Sequence, residues 1–282
     1  MKVKDYMRSP VFIIERNEPI QRARNLMLKH DISRLPVMDG IKLVGIVTKY
    51  DISNRLVQAA PEWRRRPISA VPIHLVMTES PITIYPDATL IQAAEIMSEN
   101  EIDGLPVERN GEIVGIITSR DLVKYFSEQK LEKKVGEIMG ENTVTVHRHH
   151  TITHVLEQMN AHGVSRVVVY EDNNTPVGMI TRSDLTFSEM CDSKDQMKMK
   201  SIKMTRKEST AGKKQYRYVK EVPLVAEDVM CTPVIFTNPN DNATDAAKFL
   251  VEKGICGLPV IDNGDLVGFF STREVVSEIA RW

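Results

Sequence analysis

The chain has only three cysteines among its 282 residues, Cys191, Cys231 and Cys256, and no two lie close in sequence. An odd count without a close pair argues against a disulfide framework or a zinc knuckle and fits a reducing compartment. Long apolar runs are also missing. Nothing approaches the ~20 consecutive apolar residues of a spanning helix, and the start Met1-Lys2-Val3-Lys4-Asp5 has no signal-type stretch, so a cytoplasmic protein with no membrane partner is expected. Charge of one sign is not in excess. Lys and Arg number 37 against 38 Asp and Glu, and the net charge of −1 argues against a globally basic nucleic-acid binder. No Ser-His-Asp order, pair of catalytic acids, phosphate-loop lysine or metal frame stands out, so no enzyme and no catalytic cofactor are expected. What is present is ordinary globular composition, 42% hydrophobic and 27% charged, in enough chain for two domains.

One phrase is written four times: Gly45 to Asp51 (GIVTKYD), Gly115 to Asp121 (GIITSRD), Gly178 to Asp184 (GMITRSD) and, more loosely, Gly268 to Glu274 (GFFSTRE). Each lies at nearly the same distance from an earlier methionine. The spacing is 44 residues from Met7 to Asp51, from Met77 to Asp121 and from Met230 to Glu274, and 45 from Met139 to Asp184. Leu35-Pro36-Val37, Leu105-Pro106-Val107 and Leu258-Pro259-Val260 share one offset, where the third copy has Val167-Val168-Val169. The extra residue of the third copy falls in Glu171-Asp172-Asn173-Asn174-Thr175, a stretch of turn formers where a hairpin absorbs an insertion. The repeats run over about 1–57, 71–128, 133–190 and 224–282, leaving 191–223 as a basic linker or insertion.

Periodicity inside the second copy predicts its elements. Pro81-Ile82-Thr83-Ile84 is a short strand, Asp87 and Thr89 offer capping oxygens, and Leu90, Ala93, Ala94 and Met97 follow at helical spacing. The helix ends at Glu101-Ile102-Asp103-Gly104. A hairpin turns across Arg109-Asn110-Gly111, and a second helix starts at Ser119-Arg120-Asp121. The predicted unit is β-α-β-β-α, an α/β (α+β) fold.

On this frame, from each methionine through L-P-V to the glycine, apolar pair, Thr or Ser, and acid, the chain resembles four tandem CBS (cystathionine β-synthase) domains. The resemblance implies that repeats 1 and 2, and repeats 3 and 4, each pair into a Bateman module. The two modules would stack as a disc within one chain or between two copies, which leaves a homodimer open. Inosine monophosphate dehydrogenase carries such a pair inside a catalytic barrel, for which this chain has no room.

The hydroxyls of Thr48, Thr118, Thr181 and Ser271 stand at strand ends, with Asp51, Asp121, Asp184 and Glu274 three residues on. An acid there can simply cap the helix, contributing ~0.5–1 kcal/mol. It can also accept two ribose hydroxyls, at roughly 1.5–3 kcal/mol for each bond to a charged group. The resemblance implies the second role: these residues hold the ribose of an adenosine ligand, AMP, ADP or ATP, with S-adenosylmethionine as the alternative. Arg34 and Arg166 resemble the phosphate-binding arginines of the gamma subunit of AMP-activated protein kinase, and the planar fork suits phosphate; the bland reading is a surface salt bridge. Arg120, Ser183 and Arg273, just before the acids, are further phosphate candidates. Ile32, Ile102, Val164 and Ile255 would flank adenine or serve as plain core. Repeat 4, with Ser271 and Glu274, departs furthest and is the site least expected to be filled. Occupancy of the clefts would be transmitted to an unidentified regulated protein.

His147, His149, His150 and His154 cluster around the first turn of repeat 3, with His150 and His154 at the spacing of one helix face; an exposed, pH-sensitive turn is favoured over a metal site. The methionines read as adaptable core. Trp63, in the joint Pro61 to Pro67, reads as packed between solvated arginines. The segment 194–220 interleaves Lys and Arg with Tyr216 and Tyr218, which reads as a solvated linker, a hairpin through Ala211-Gly212, or a nucleic-acid contact.

Overall fold

A computed structural model describes residues 1–52, 71–141, 143–172, 175–187, 199–205 and 217–282. Trp63 and the joint around it, Asn173, Asn174 and Ala211-Gly212 lie outside the described residues, as does the side chain of Ser183. Repeat 1 supplies β1 (Ile14–Glu15), α1 (Ile20–Lys29), β2 (Arg34–Asp39) and β3 (Lys42–Thr48), after which a helix opens over residues 49–52. Repeat 2 supplies β4 (Thr78–Glu79), α2 (Leu90–Glu99), β5 (Gly104–Arg109), β6 (Glu112–Thr118) and α3 (Ser119–Ser127). A short α4 (Val135–Ile138) leads repeat 3, with β7 (Thr145–His147), α5 (Ile152–Ala161), β8 (Arg166–Tyr170), β9 (Pro176–Thr181) and α6 (Arg182–Phe187). Next comes an antiparallel ribbon, β10 (Met199–Thr205) with β11 (Arg217–Pro223). Repeat 4 ends the chain with α7 (Ala243–Lys253), β12 (Gly257–Asp262), β13 (Asp265–Ser271) and α8 (Thr272–Ile279).

The local reasons are those the sequence offers. Thr89 accepts the Gln92 amide at 3.1 Å, and α2 buries Leu90, Ala93, Ala94 and Met97 along one face. Asn110 and Gly111 both take positive φ, 53° and 84°, as a two-residue hairpin turn of right-handed twist requires. Two expectations fail. Asp87 does not cap α2; it receives Lys4 Nζ at 2.8 Å and Lys2 Nζ at 3.1 Å. The run 81–84 is not a strand, because only Ile84 bridges to Val107. Proline brackets the run at 81 and 86, and Pro81 has no N–H to donate.

The segment that leads each repeat docks on the repeat's partner rather than on its own body. Val3 N donates to Ala88 O and Ile73 N to Glu18 O, both at 2.9 Å; Val135 N donates to Asp241 O at 2.9 Å and Ala226 N to His150 O at 2.8 Å. Val3, Ile73, Val135 and Ala226 are fully buried, each removing apolar surface from water at a gain of roughly 1–3 kcal/mol. Repeats 1 and 2, and repeats 3 and 4, thus exchange leading segments.

The chain divides into two compact units. One contains the described residues up to Thr143 together with Val234–Trp282; its core runs through repeats 2 and 4, joining Leu122, Phe126, Leu250, Phe270 and Ile279, with α3 packed on α7 and α8. Trp282 stacks on Phe126 with ring centroids 5.8 Å apart. The other contains Val144–Pro233, with a core of Val155, Met159, Val167, Val169 and Ile180 closed by Ala226. Among the described residues no helix is long and apolar enough to cross a membrane.

Candidate functional site

Each last strand of a repeat delivers its hydroxyl to the acid three residues on. Thr48 donates to Asp51 Oδ2 from both its amide and its Oγ1 at 2.7 Å; Thr118 does the same to Asp121 Oδ2 at 2.8 and 2.6 Å, and Thr181 to Asp184 Oδ2 at 2.7 Å from both. Ser271 Oγ donates to Glu274 Oε2 and accepts the Arg273 amide at 3.2 Å. One carboxylate oxygen is therefore spent on the helix start, as the capping reading requires, which leaves its mate over. Burial pushes the Asp51 carboxyl above its ordinary value, against the lowering effect of the Thr48 bonds.

The glycine of the motif has a steric cause. A Cβ would fall 2.5 Å from Met77 Sδ at Gly45, 2.7 Å from Met7 Sδ at Gly115 and 2.8 Å from Met139 Sδ at Gly268, and would collide with Met230 Sδ at Gly178. Each anchor methionine thus seats its sulfur on the glycine strand of the partner repeat, and in three of the four the residue after it comes up to the partner's acid. Arg8 Nε lies 3.6 Å from Asp121 Oδ1, and Gly140 backs onto Glu274 Oε1. Thr78 pairs with Ile46; Cys231 pairs with Met179, its thiol pushed up by burial and then by the charge of Asp184. Sequence reasoning missed these four residues. The signal was present, since they follow the very methionines that set the register.

Arg34 is not a surface cation. Its side chain is 14% exposed, its guanidinium lies across the Gly104 backbone where a side chain would collide, and its ion pair among the described residues, to Asp103 Oδ2, is 3.9 Å long. Nε is buried with no hydrogen-bond partner among the described residues. Burial pulls this guanidinium below its ordinary value, and Asp103 opposes the shift. Arg120 Nη2 donates to Gly254 O at 3.1 Å and to Cys256 Sγ at 3.6 Å, which brings repeat 2 against repeat 4. The mirror contact is Arg273 Nη2 with Glu101 Oε2 at 3.1 Å. Arg166 reaches Ser165 Oγ at 3.3 Å. Ile32, Ile102, Val164 and Ile255 are all half-buried just beyond a helix end, each amide bonded back to a helix carbonyl. Ile102, Val164 and Ile255 also pack against the cores.

A cavity of about 400 Å³ lies beside the acid ranked last by sequence, Glu274, and is lined by Glu101, Asp103, Gly140, Arg273 and Ser277. Gly140 and the longer glutamate together shape it, because a Cβ at 140 would stand 3.2 Å from Glu274 Oε1. Arg182, unnoticed in the sequence, is buried and ties the start of α6 to Val164 O at 3.3 Å and Asn160 Oδ1 at 2.8 Å. His150 precedes α5 instead of sharing a face with His154, although their rings meet with centroids 4.4 Å apart. No group of three or more metal-ligating side chains is found among the described residues.

A family model described as the CBS domain matches residues 3–58, 68–128, 135–188 and 225–281. Protein MJ1404 of Methanocaldococcus jannaschii is 26% identical over 281 residues, 99% of this chain and 62% of that protein. The L-aspartate semialdehyde sulfurtransferase of the same organism is 28% identical over 196 residues, 62% of this chain and 38% of the enzyme. The chain spans from 34% to 66% of the length of these and two further curated relatives. Among solved structures, protein MJ1225 from M. jannaschii, described as a candidate archaeal homologue of g-AMPK, matches with a TM-score of 0.81 at 18% identity, covering 99% of this chain and 100% of that one. The CBS domain pair of protein MJ0100, in complex with 5′-methylthioadenosine and S-adenosyl-L-methionine, is 33% identical over 46% of this chain and 98% of its own, at a TM-score of 0.41. With four matched copies of a regulatory ligand-binding module in exchanged pairs, the chain belongs to the CBS domain family.

Proposed function

We propose that this protein is a regulator, not a catalyst, that binds AMP, ADP or ATP in clefts between paired repeats and transmits their occupancy to a partner protein. The observation that carries the reading is Arg34. A guanidinium this buried, whose Nε finds no hydrogen-bond partner and whose ion pair is long among the described residues, is an expensive arrangement unless an anion completes it. Phosphate oxygens suit its fork, and Arg120 adds a second guanidinium near the same cleft. Thr48 with Asp51, Thr118 with Asp121, Thr181 with Asp184 and Ser271 with Glu274 are assigned to ribose, through the carboxylate oxygen that the helix start leaves over. Arg34, Arg120, Arg166, Ser183 and Arg273 are assigned to phosphate, and the half-buried Ile32, Ile102, Val164 and Ile255 to adenine.

Regulation then follows from linkage. A nucleotide that binds one packing of the repeats better than another, by ~1–3 kcal/mol, shifts a partner's affinity about 5- to 150-fold. The test is equilibrium binding of AMP to wild type and Arg34→Ala. The reading expects a loss of about tenfold or more, the equivalent of about 1.4 kcal/mol; equal affinity would remove its support. S-adenosylmethionine shares ribose and adenine but carries a sulfonium and a zwitterionic amino-acid tail in place of phosphate, so its binding should depend less on Arg34 than that of AMP.

A second reading, nucleic-acid contact through 194–220, draws on the ribbon β10–β11, in which Lys200, Lys203, Arg217 and Lys220 fall on paired strands. It expects a steep salt dependence that disappears when the ribbon is deleted, whereas nucleotide binding should survive the deletion.

A further inference from the structure

The residue after each anchor methionine is handed by one repeat to its partner, and it differs in all four: Arg8, Thr78, Gly140 and Cys231. We infer that Arg8 is a specificity-determining residue of the Asp121 cleft, selecting an adenosine ligand with an anionic tail over one with a neutral or cationic tail. The inference rests on the adenosine reading above.

Arg8 is held in place from both sides. Its amide donates to Ile116 O at 2.9 Å, its carbonyl accepts from Ile116 N at 3.1 Å, and Met7 is seated on Gly115 one residue earlier. Its Nε stands 3.6 Å from Asp121 Oδ1, the oxygen that Thr118 does not occupy. The Arg8 side chain is 54% exposed, so the fork beyond this contact stays accessible, while the Asp121 side chain is only 10% exposed. Arg34 and Arg120 both lie within the field of Asp121. Three guanidiniums therefore share the field of Asp121, with Asp103 acting on Arg34 and Asp31 on Arg120, and Arg8 is the exposed one among them. A phosphate carried on the ribose 5′ position would pair with the open fork of Arg8; a neutral tail would not, and a sulfonium would be repelled by it.

The cavity at Glu274 supplies the contrast within the same unit. Glycine stands there in place of Arg8, so no exchanged guanidinium meets the acid, and Glu101, Asp103 and Glu274 line the wall together with Arg273 and Arg281. Selectivity is thus set by one exchanged residue rather than by the motif that all four copies share.

The test isolates one cleft. In a background of Asp51→Asn, Asp184→Asn and Glu274→Gln, only Asp121 keeps its acid; AMP and adenosine are titrated by calorimetry with and without Arg8→Thr, threonine being the residue that repeat 1 receives at position 78. The AMP-to-adenosine affinity ratio is expected to fall about tenfold in Arg8→Thr, the equivalent of about 1.4 kcal/mol, and to stay near the parent value in the charge-preserving Arg8→Lys. An unchanged ratio in Arg8→Thr, with binding of both ligands abolished by Asp121→Ala, overturns the role of Arg8 and leaves the adenosine reading standing. Binding of neither ligand by the background variant, folded by circular dichroism, overturns both.

Discussion

Single side chains respond to pH individually, each according to the partners it has. Asp87 is a clear case: hydrogen bonds from Lys4 and then Lys2 hold its exposed carboxyl down, from an ordinary 3.8 to about 2. A depressed carboxyl favours the folded arrangement above its ordinary value, so its help in docking the leading segment is present above pH 3.8 and is lost as the pH falls through about 2. Carboxyl NMR of Asp87 should titrate near 2 in wild type and return toward 3.8 in Lys4→Ala; an unmoved midpoint would contradict the assignment. Gly104 is a second case. Alanine there would drive its methyl into the Arg34 guanidinium, so Gly104→Ala should weaken AMP binding while leaving the sheet intact. Arg34 was legible in the sequence because it stands at one offset of a repeated frame and only in alternate copies. Arg8 was not, because its significance lies in the acid it meets more than a hundred residues away.

At the scale of elements, the Met–Gly contact couples the two repeats of each pair. Gly115→Ala pushes Met7 off its strand, and overpacking of this kind costs ~1–3 kcal/mol; a lowered thermal midpoint together with loosened protection of the Val3 amide is expected. If the midpoint held and Val3 stayed protected, the contact would be incidental. The β-α-β-β-α order, the turn at Asn110-Gly111 and the buried face of α2 were all readable from local pattern, because each is fixed by residues near one another in sequence. The exchange of leading segments was hidden for the opposite reason. A spacing of 44 residues places Met7 relative to Asp51 but does not say that Met7 seats on Gly115. The run 81–84 misled because apolar alternation registers Ile82 and Ile84 but not the donor that Pro81 lacks. Likewise, the basic stretch read first as a solvated linker contains seven paired positions, from Met199 with Pro223 to Thr205 with Arg217.

For the molecule as a whole, the shared core of repeats 2 and 4 means that these copies do not melt one by one. Phe270→Ala removes a fully buried ring and should cost ~3–5 kcal/mol; amides of α3 and α8 should lose hydrogen-exchange protection together. Separate loss would show that the repeats fold independently. If Asp121 or Glu274 holds a ligand as proposed, a core of this kind gives its occupancy a physical route to the rest of the unit, since both acids open helices packed into it. The central claim is that the repeated acids hold adenosine ligands, and calorimetric titration with AMP, ATP and S-adenosylmethionine tests it most directly, on wild type and on the Asp51→Ala, Asp121→Ala and Asp184→Ala variants. Saturable AMP or ATP binding that weakens with the acids is the predicted result; nucleotide affinity unchanged in all three variants would contradict it.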